Sequence, residues 1–192
     1  GQVCLAIKRV YAHEAISAEL CAELAKHAKA AVVGNGMSDG VQIGPVNNRQ
    51  QYQKVLGLIE RARATGTVLT GGHALPGKGF FIKPTIIKDV KDGDEIVDEE
   101  QFGPVLPVVT WFDVEQAIAG ANRLKYGLAA SVWSADVKRA RDIAMRIESG
   151  TVWINTHLDV SPVIPYAGAK QSGFGVEFSV EGLHEFTQIK VV

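Results

Sequence analysis

The sequence predicts an α/β protein built on a mostly parallel twisted sheet flanked by helices. Two observations carry that expectation. In the second half, three β-prone runs (Val105 to Thr110, Leu128 to Trp133, Thr151 to Asn155) alternate with two helical stripes over short connections. Parallel neighbours need such helical crossovers, and the crossovers are right-handed. The composition is also that of a globular chain: of 192 residues, 46% are hydrophobic and 21% charged. That suffices for a substantial core and argues against extended disorder.

Each element follows from a local pattern. Leu5 to Tyr11 alternates apolar and basic residues, which predicts a strand. Ile16, Leu20, Leu24 and Ala28 recur at helical spacing until Gly34 and Gly36 interrupt them. After a polar, glycine-rich loop, Asn47 with Gln50 reads as a capping box opening a helix that buries Val55, Leu56 and Ile59 and ends at Gly66. Thr67 to Thr70 and Phe80 to Ile87 are β-prone, with a surface loop over Gly71 to Gly79 between them. Asp113 and Gln116 cap the helix through Ala117, Ile118 and Ala121, while Val137, Ala140, Ala144 and Ile147 stripe the next one. Gly150 reads as its left-handed C-terminal cap. The last residues, 186–192, read as a strand with an unpaired edge.

Several function classes lose support. The net charge of −1 creates no positive field to gather nucleic acid or anionic lipid. No apolar run approaches the ~20 residues of a membrane span, and the start lacks a secretory layout. Two cysteines, Cys4 and Cys21, make no disulfide framework; a reduced intracellular protein is expected, cytoplasmic by default, with an organelle matrix and a single Cys4–Cys21 bridge as the alternatives. The five histidines show no pair at metal-ligand spacing, and no metal site is expected. Gly34, Gly36 and Gly40 follow a helix instead of joining strand to helix, the wrong context for a phosphate cradle.

Three residues bear on chemistry. Cys4, as a thiolate, is a nucleophile for carbonyl carbon. Glu100 offers an acceptor for sugar hydroxyls, and Phe102 a flat surface beside a ring; Gly103-Pro104 then turns the chain toward the strand at Val105. The stretches Gly1-Gln2-Val3-Cys4 and Glu99-Glu100-Gln101-Phe102-Gly103-Pro104 together resemble the second half of an NAD(P)-dependent aldehyde dehydrogenase. Two further runs support the resemblance: Gly150-Thr151-Val152-Trp153-Ile154-Asn155, and Pro165-Tyr166-Ala167-Gly168-Ala169-Lys170-Gln171-Ser172-Gly173-Phe174-Gly175. In the second of these, Tyr166 and Ala167 stand where the family usually has Phe and Gly.

The resemblance implies a catalytic role for Cys4, which attacks the aldehyde carbon to give a thiohemiacetal and then a thioester, its backbone amide donating to the oxyanion. It implies that Glu100 binds the nicotinamide ribose of NAD or NADP and that Phe102 lies beside the nicotinamide. His157, Leu158 and Tyr166 are expected to line the aldehyde's tail, and Asn155 to bind backbone. The resemblance covers the whole chain, yet family members are roughly two and a half times longer. Residues 1–192 therefore read as an incomplete catalytic domain. The cofactor-binding domain, the water-activating glutamate and the oxyanion asparagine lie in the part that precedes Cys4. The parent enzyme is expected to be a homodimer or homotetramer, with 186–192 as an oligomerisation strand, and the isolated piece to be inactive. Two other readings stand beside this one: a nicotinamide-independent acyl transferase or esterase using Cys4, and a non-catalytic assembly module.

Overall fold

A computed structural model describes all residues, 1–192. They form two compact units, Gly1–Asp113 and Val114–Val192, taken here in turn.

In the first unit, β1 (Val10–His13) runs directly into α1 (Glu14–Ala30), followed by α2 (Arg49–Ala62), β2 (Thr67–Thr70), β3 (Thr85–Val90), the short α3 (Glu95–Asp98) and β4 (Val105–Trp111). The sheet order is β1-β4-β3-β2, with β4 parallel to both its neighbours and β2 antiparallel to β3. Side chains on successive strand residues point to opposite faces, and the core divides accordingly. Ile87 and Val109 join a cluster with Val55 and Ile59 of α2, whereas Ile86 and Val108 join one with Leu20 and Leu24 of α1. The two helices thus take different apolar clusters of the same strands. This is why the strands read as nearly continuous apolar runs.

Three boundaries differ from expectation. The strand expected from Leu5 begins only at Val10, which pairs with Val108; the residue before Val108 is Pro107, which has no N–H for the ladder. Pro84 likewise delays β3 to Thr85, so of the expected Phe80–Ile87 strand the first part keeps only an isolated bridge between Ile82 and Ala74. The cap of α2 is Asn48, whose Oδ1 accepts from Gln51 N at 2.9 Å. Asn47 is occupied otherwise, its N–H donating to Gln2 Oε1 at 2.8 Å.

The second unit contains α4 (Val114–Asn122), β5 (Tyr126–Gly127), β6 (Ala129–Val132), α5 (Val137–Ala144), β7 (Thr151–Ile154), β8 (Tyr166–Ala167), β9 (Ala169–Lys170), β10 (Val176–Glu177) and α6 (Ser179–His184). The β6–α5–β7 segment is a parallel strand–helix–strand unit, and β5–β9 and β8–β10 are short antiparallel pairs. The expectation of one parallel sheet running from Val105 to Asn155 is corrected: both edges of β4 are taken by β1 and β3, and β6 pairs only with β7.

Gly150 is not a left-handed cap. Helix α5 ends at Ala144 with Met145 in right-handed geometry, and the need at Gly150 is space: a Cβ there would lie 1.7 Å from the Ala167 carbonyl oxygen. Residues 186–192 form no strand, since a strand requires a hydrogen-bonded neighbour and none is supplied within the chain.

Candidate active site

Cys4 lies in a tight turn closed by Ala6 N–H donating to Val3 O at 3.0 Å. Its thiol is exposed, while Cys21 is buried in the α1 cluster; both are free. Around Cys4, the flanking residues anchor the segment to the loop that follows α3. A Cβ on Gly1 would meet the Gly103 carbonyl oxygen at 2.1 Å, and one on Gly103 would meet Val55 of α2 at 2.5 Å. Gly1, Gly103 and α2 are therefore stacked with no room for side chains between them. On the other side, Lys8 Nζ donates to the carbonyls of Val97, Asp98 and Glu99 at 2.8, 3.0 and 2.6 Å.

The loop itself is fixed through its backbone. Lys54 Nζ donates to Glu100 O at 2.7 Å, and Gln51 Nε2 donates to the carbonyls of Gln101 and Phe102 at 2.6 and 2.9 Å. Gln101 is 1% exposed, and its side-chain amide donates to Ile96 O. Phe102 takes a φ of 50°, a left-handed conformation unfavourable for a bulky residue and sustained here by these clamps. With its carbonyl tied down, Glu100 is left with an exposed side chain.

The outcome is one open cleft lined by Cys4, Lys8, Glu100 and Phe102 among others. Burial pushes the Lys8 ammonium down to about 8, reinforced by the Arg9 charge and opposed by Asp98, Glu100 and Glu99. The three donors of Lys8 are taken by carbonyls, so it serves the loop.

His157, Leu158 and Tyr166 belong to the second unit. His157 meets the Trp153 ring edge-on at 4.9 Å between centroids, and Tyr166 stacks on it at 6.5 Å. Trp153 is held by donating its Nε1–H to Asp159 O at 2.7 Å. Leu158 is half exposed, with a φ of 65°. Asn155 braces backbone as expected, accepting from Ser134 N at 2.8 Å and donating to Ser134 O at 2.9 Å. Sequence reasoning did not find Gln2, Gln51, Lys54 or Gln101. Each acts on a backbone group 5 to 51 positions away, and no local pattern announces such a partner.

The family model for the aldehyde dehydrogenase family matches residues 1–192. The chain belongs to the aldehyde dehydrogenase family. It is 39% identical to the betaine aldehyde dehydrogenase of Rhizobium etli over 197 aligned residues, covering 100% of this chain and 40% of that protein. It is 37% identical to the cytosolic aldehyde dehydrogenase 1 of Rattus norvegicus, covering 38% of it. The structure is similar to that of the NAD+ complex of the aldehyde dehydrogenase from Bacillus cereus, with a TM-score of 0.95 and 38% identity over 99% of this chain and 39% of that one. This aldehyde dehydrogenase chain thus spans about 40% of the length of the curated relatives it matches. None of its helices is long and apolar enough to cross a membrane.

Proposed function

We propose that the protein carrying this chain oxidises an aldehyde to a carboxylic acid with NAD or NADP, and that Cys4 is its nucleophile. The observation that supports this best is the shared cleft: an exposed thiol beside an exposed carboxylate and a half-buried phenyl ring. These groups fit a nicotinamide riboside. Glu100, fixed by its backbone and open at its side chain, can accept both ribose hydroxyls, and Phe102 offers a flat apolar face. When bound, the dinucleotide supplies the hydride acceptor.

The chain's own part begins with the Cys4 thiolate, which forms a C–S bond to the aldehyde carbon as the carbonyl electron pair moves to oxygen. The Cys4 backbone N–H is one donor for the resulting oxyanion. Once hydride has left the carbon, the same C–S bond is that of a thioester. Water cleaves it, releasing the carboxylic acid and a proton and returning the thiolate. His157, Leu158 and Tyr166 are the residues proposed to contact the aldehyde's tail. Residues 186–192 are proposed to pair with a neighbouring subunit in a homodimer or homotetramer; the exposure of Phe186, Ile189 and Val191 supports this. Two free cysteines suit a reducing compartment such as the cytoplasm.

The test is Cys4→Ala in the full-length enzyme. Aldehyde-dependent reduction of NAD(P) is expected to fall below detection, with dinucleotide binding retained. Aldehyde oxidation by the variant at the parent rate rejects the assignment. The isolated 192-residue chain is expected to reduce no NAD(P).

A further inference from the structure

The loop from Val97 to Gly103 is held by the nucleophile segment at both ends. Gly1 packs against Gly103 at one end, and Lys8 binds residues 97–99 at the other. Carbonyls at the end of a helix have no intrahelical partner; here Val97 O and Asp98 O, at the end of α3, are met by one ammonium together with Glu99 O. An ammonium has three donors, and all three are used. The bridge joins a residue four positions after Cys4 to the residue immediately before Glu100. No other side chain in the structure makes that particular connection through three bonds, and none of the sequence patterns assigned Lys8 a role.

We propose that Lys8 is a positioning residue that sets the placement of Glu100 relative to Cys4, coupling dinucleotide binding to the nucleophile segment. This rests on the reading of Glu100 as the ribose ligand. A neutral side chain cannot replace it: glutamine brings two donors and methionine none, whereas arginine keeps the charge and several donors in a planar fork suited to only part of the set. The groups facing Lys8 are Arg9, which favours loss of its proton, and Asp98, Glu99 and Glu100, which oppose it; Cys4 lines the same cleft. Because burial brings the ammonium down to about 8, alkaline conditions remove one donor and the charge, and the grip on the three carbonyls weakens.

The experiment uses the full-length enzyme with Lys8→Met, Lys8→Arg and Glu100→Gln, read by NADH fluorescence titration without aldehyde and by nicotinamide-independent ester hydrolysis at Cys4. Lys8→Met is expected to weaken NADH binding about tenfold, a loss at least about fivefold greater than any loss of ester hydrolysis. Lys8→Arg is expected to recover part of the affinity and to abolish the weakening expected of the parent enzyme between about pH 7 and pH 9. Unchanged NADH affinity in Lys8→Met, or equal losses of binding and ester hydrolysis, overturns the proposal. If Lys8→Met does not fold, Lys8→Arg decides: a pH dependence of NADH affinity identical to the parent's overturns it. Glu100→Gln separates the two readings. Weakened binding in Glu100→Gln with none in Lys8→Met defeats the role of Lys8 alone; no effect of Glu100→Gln defeats the ribose reading and the proposal with it.

Discussion

The first unit holds most of the buried apolar side chains, although Met37 and Phe112 stay exposed, while the second buries few and displays many. Among the buried apolar residues only Ile118, Ala140, Ala144 and Trp153 belong to the second unit. Val163, Phe174, Phe186, Ile189 and Val191, all in that unit, are 79% exposed or more. The cause is architectural. A four-stranded sheet with an apolar cluster on each helix buries both kinds of strand residue, whereas two-stranded pairs are marginal by themselves. The second unit relies on point contacts: Gly150 against the Ala167 carbonyl, Asn155 bridging to Ser134, and Lys170 reaching Glu148 and the carbonyls of Asn122 and Leu124. Cys4, Glu100 and Phe102 therefore rest on a deep core, and the residues proposed for the aldehyde's tail rest on a thinner one. The proposed pairing of residues 186–192 with a neighbouring subunit would cover Phe186, Ile189 and Val191 of this exposed set.

The largest effect is expected from Gly150→Ala, which would place a methyl group 1.7 Å from a backbone oxygen that cannot swing away. A loss above about 4 kcal/mol is expected. Amide hydrogen exchange should show residues 114–192 losing protection while 10–111 keep theirs; simultaneous loss in both would break the contrast. Ile87→Ala is the counterpart in the first unit. Ile87 is fully buried, and its truncation should cost about 2–5 kcal/mol, read by denaturant unfolding with exchange protection falling in β3 and β4 first.

The smallest effect comes from two matched surface ion pairs, one per unit. Arg61 donates to both Glu95 oxygens at 2.6 and 2.8 Å, and Arg146 grips Glu115 in the same forked manner. Hydrogen bonding from the guanidinium holds both carboxyls below the ordinary glutamate value of 4.5. A carboxyl held low in the folded state stabilises above its unfolded value, and that contribution disappears as the pH falls through the lowered one. Glu95→Gln and Glu115→Gln should each flatten the stability profile below pH 4.5 and change little at neutral pH. A larger neutral-pH loss for Glu115→Gln would sharpen the contrast by showing that the second unit depends on its surface contacts.

Much of this was legible in the chain. Thr67 to Thr70 is a strand at both predicted ends, α1 covers the Ile16–Ala28 stripe, and β6–α5–β7 follows the alternation that predicted it. These depend on side-chain periodicity, which is local. Where the reading slipped, a distant partner intervened. The cap fell to Asn48, whose side-chain oxygen takes the Gln51 N–H, while the Asn47 N–H is met by the distant Gln2 instead of the Gln50 side chain that the predicted box would use. The segment before Val10 lost its strand to a turn and to the Lys8 contacts. Residues 186–192 have strand composition but nothing to pair with inside the chain.

Residue order alone determined the class of the fold, the family, and which thiol, carboxylate and ring to examine, because periodicity and short motifs are written within a few neighbouring positions. That Cys4, Glu100 and Phe102 line one cleft was decided by tertiary structure. Three carbonyl bonds from Lys8, the amide clamp of Gln51 and the close stacking of Gly1 on Gly103 act across roughly 50 to 100 residues of chain. Contacts at such separations arise only when packed helices and strands bring their backbones together.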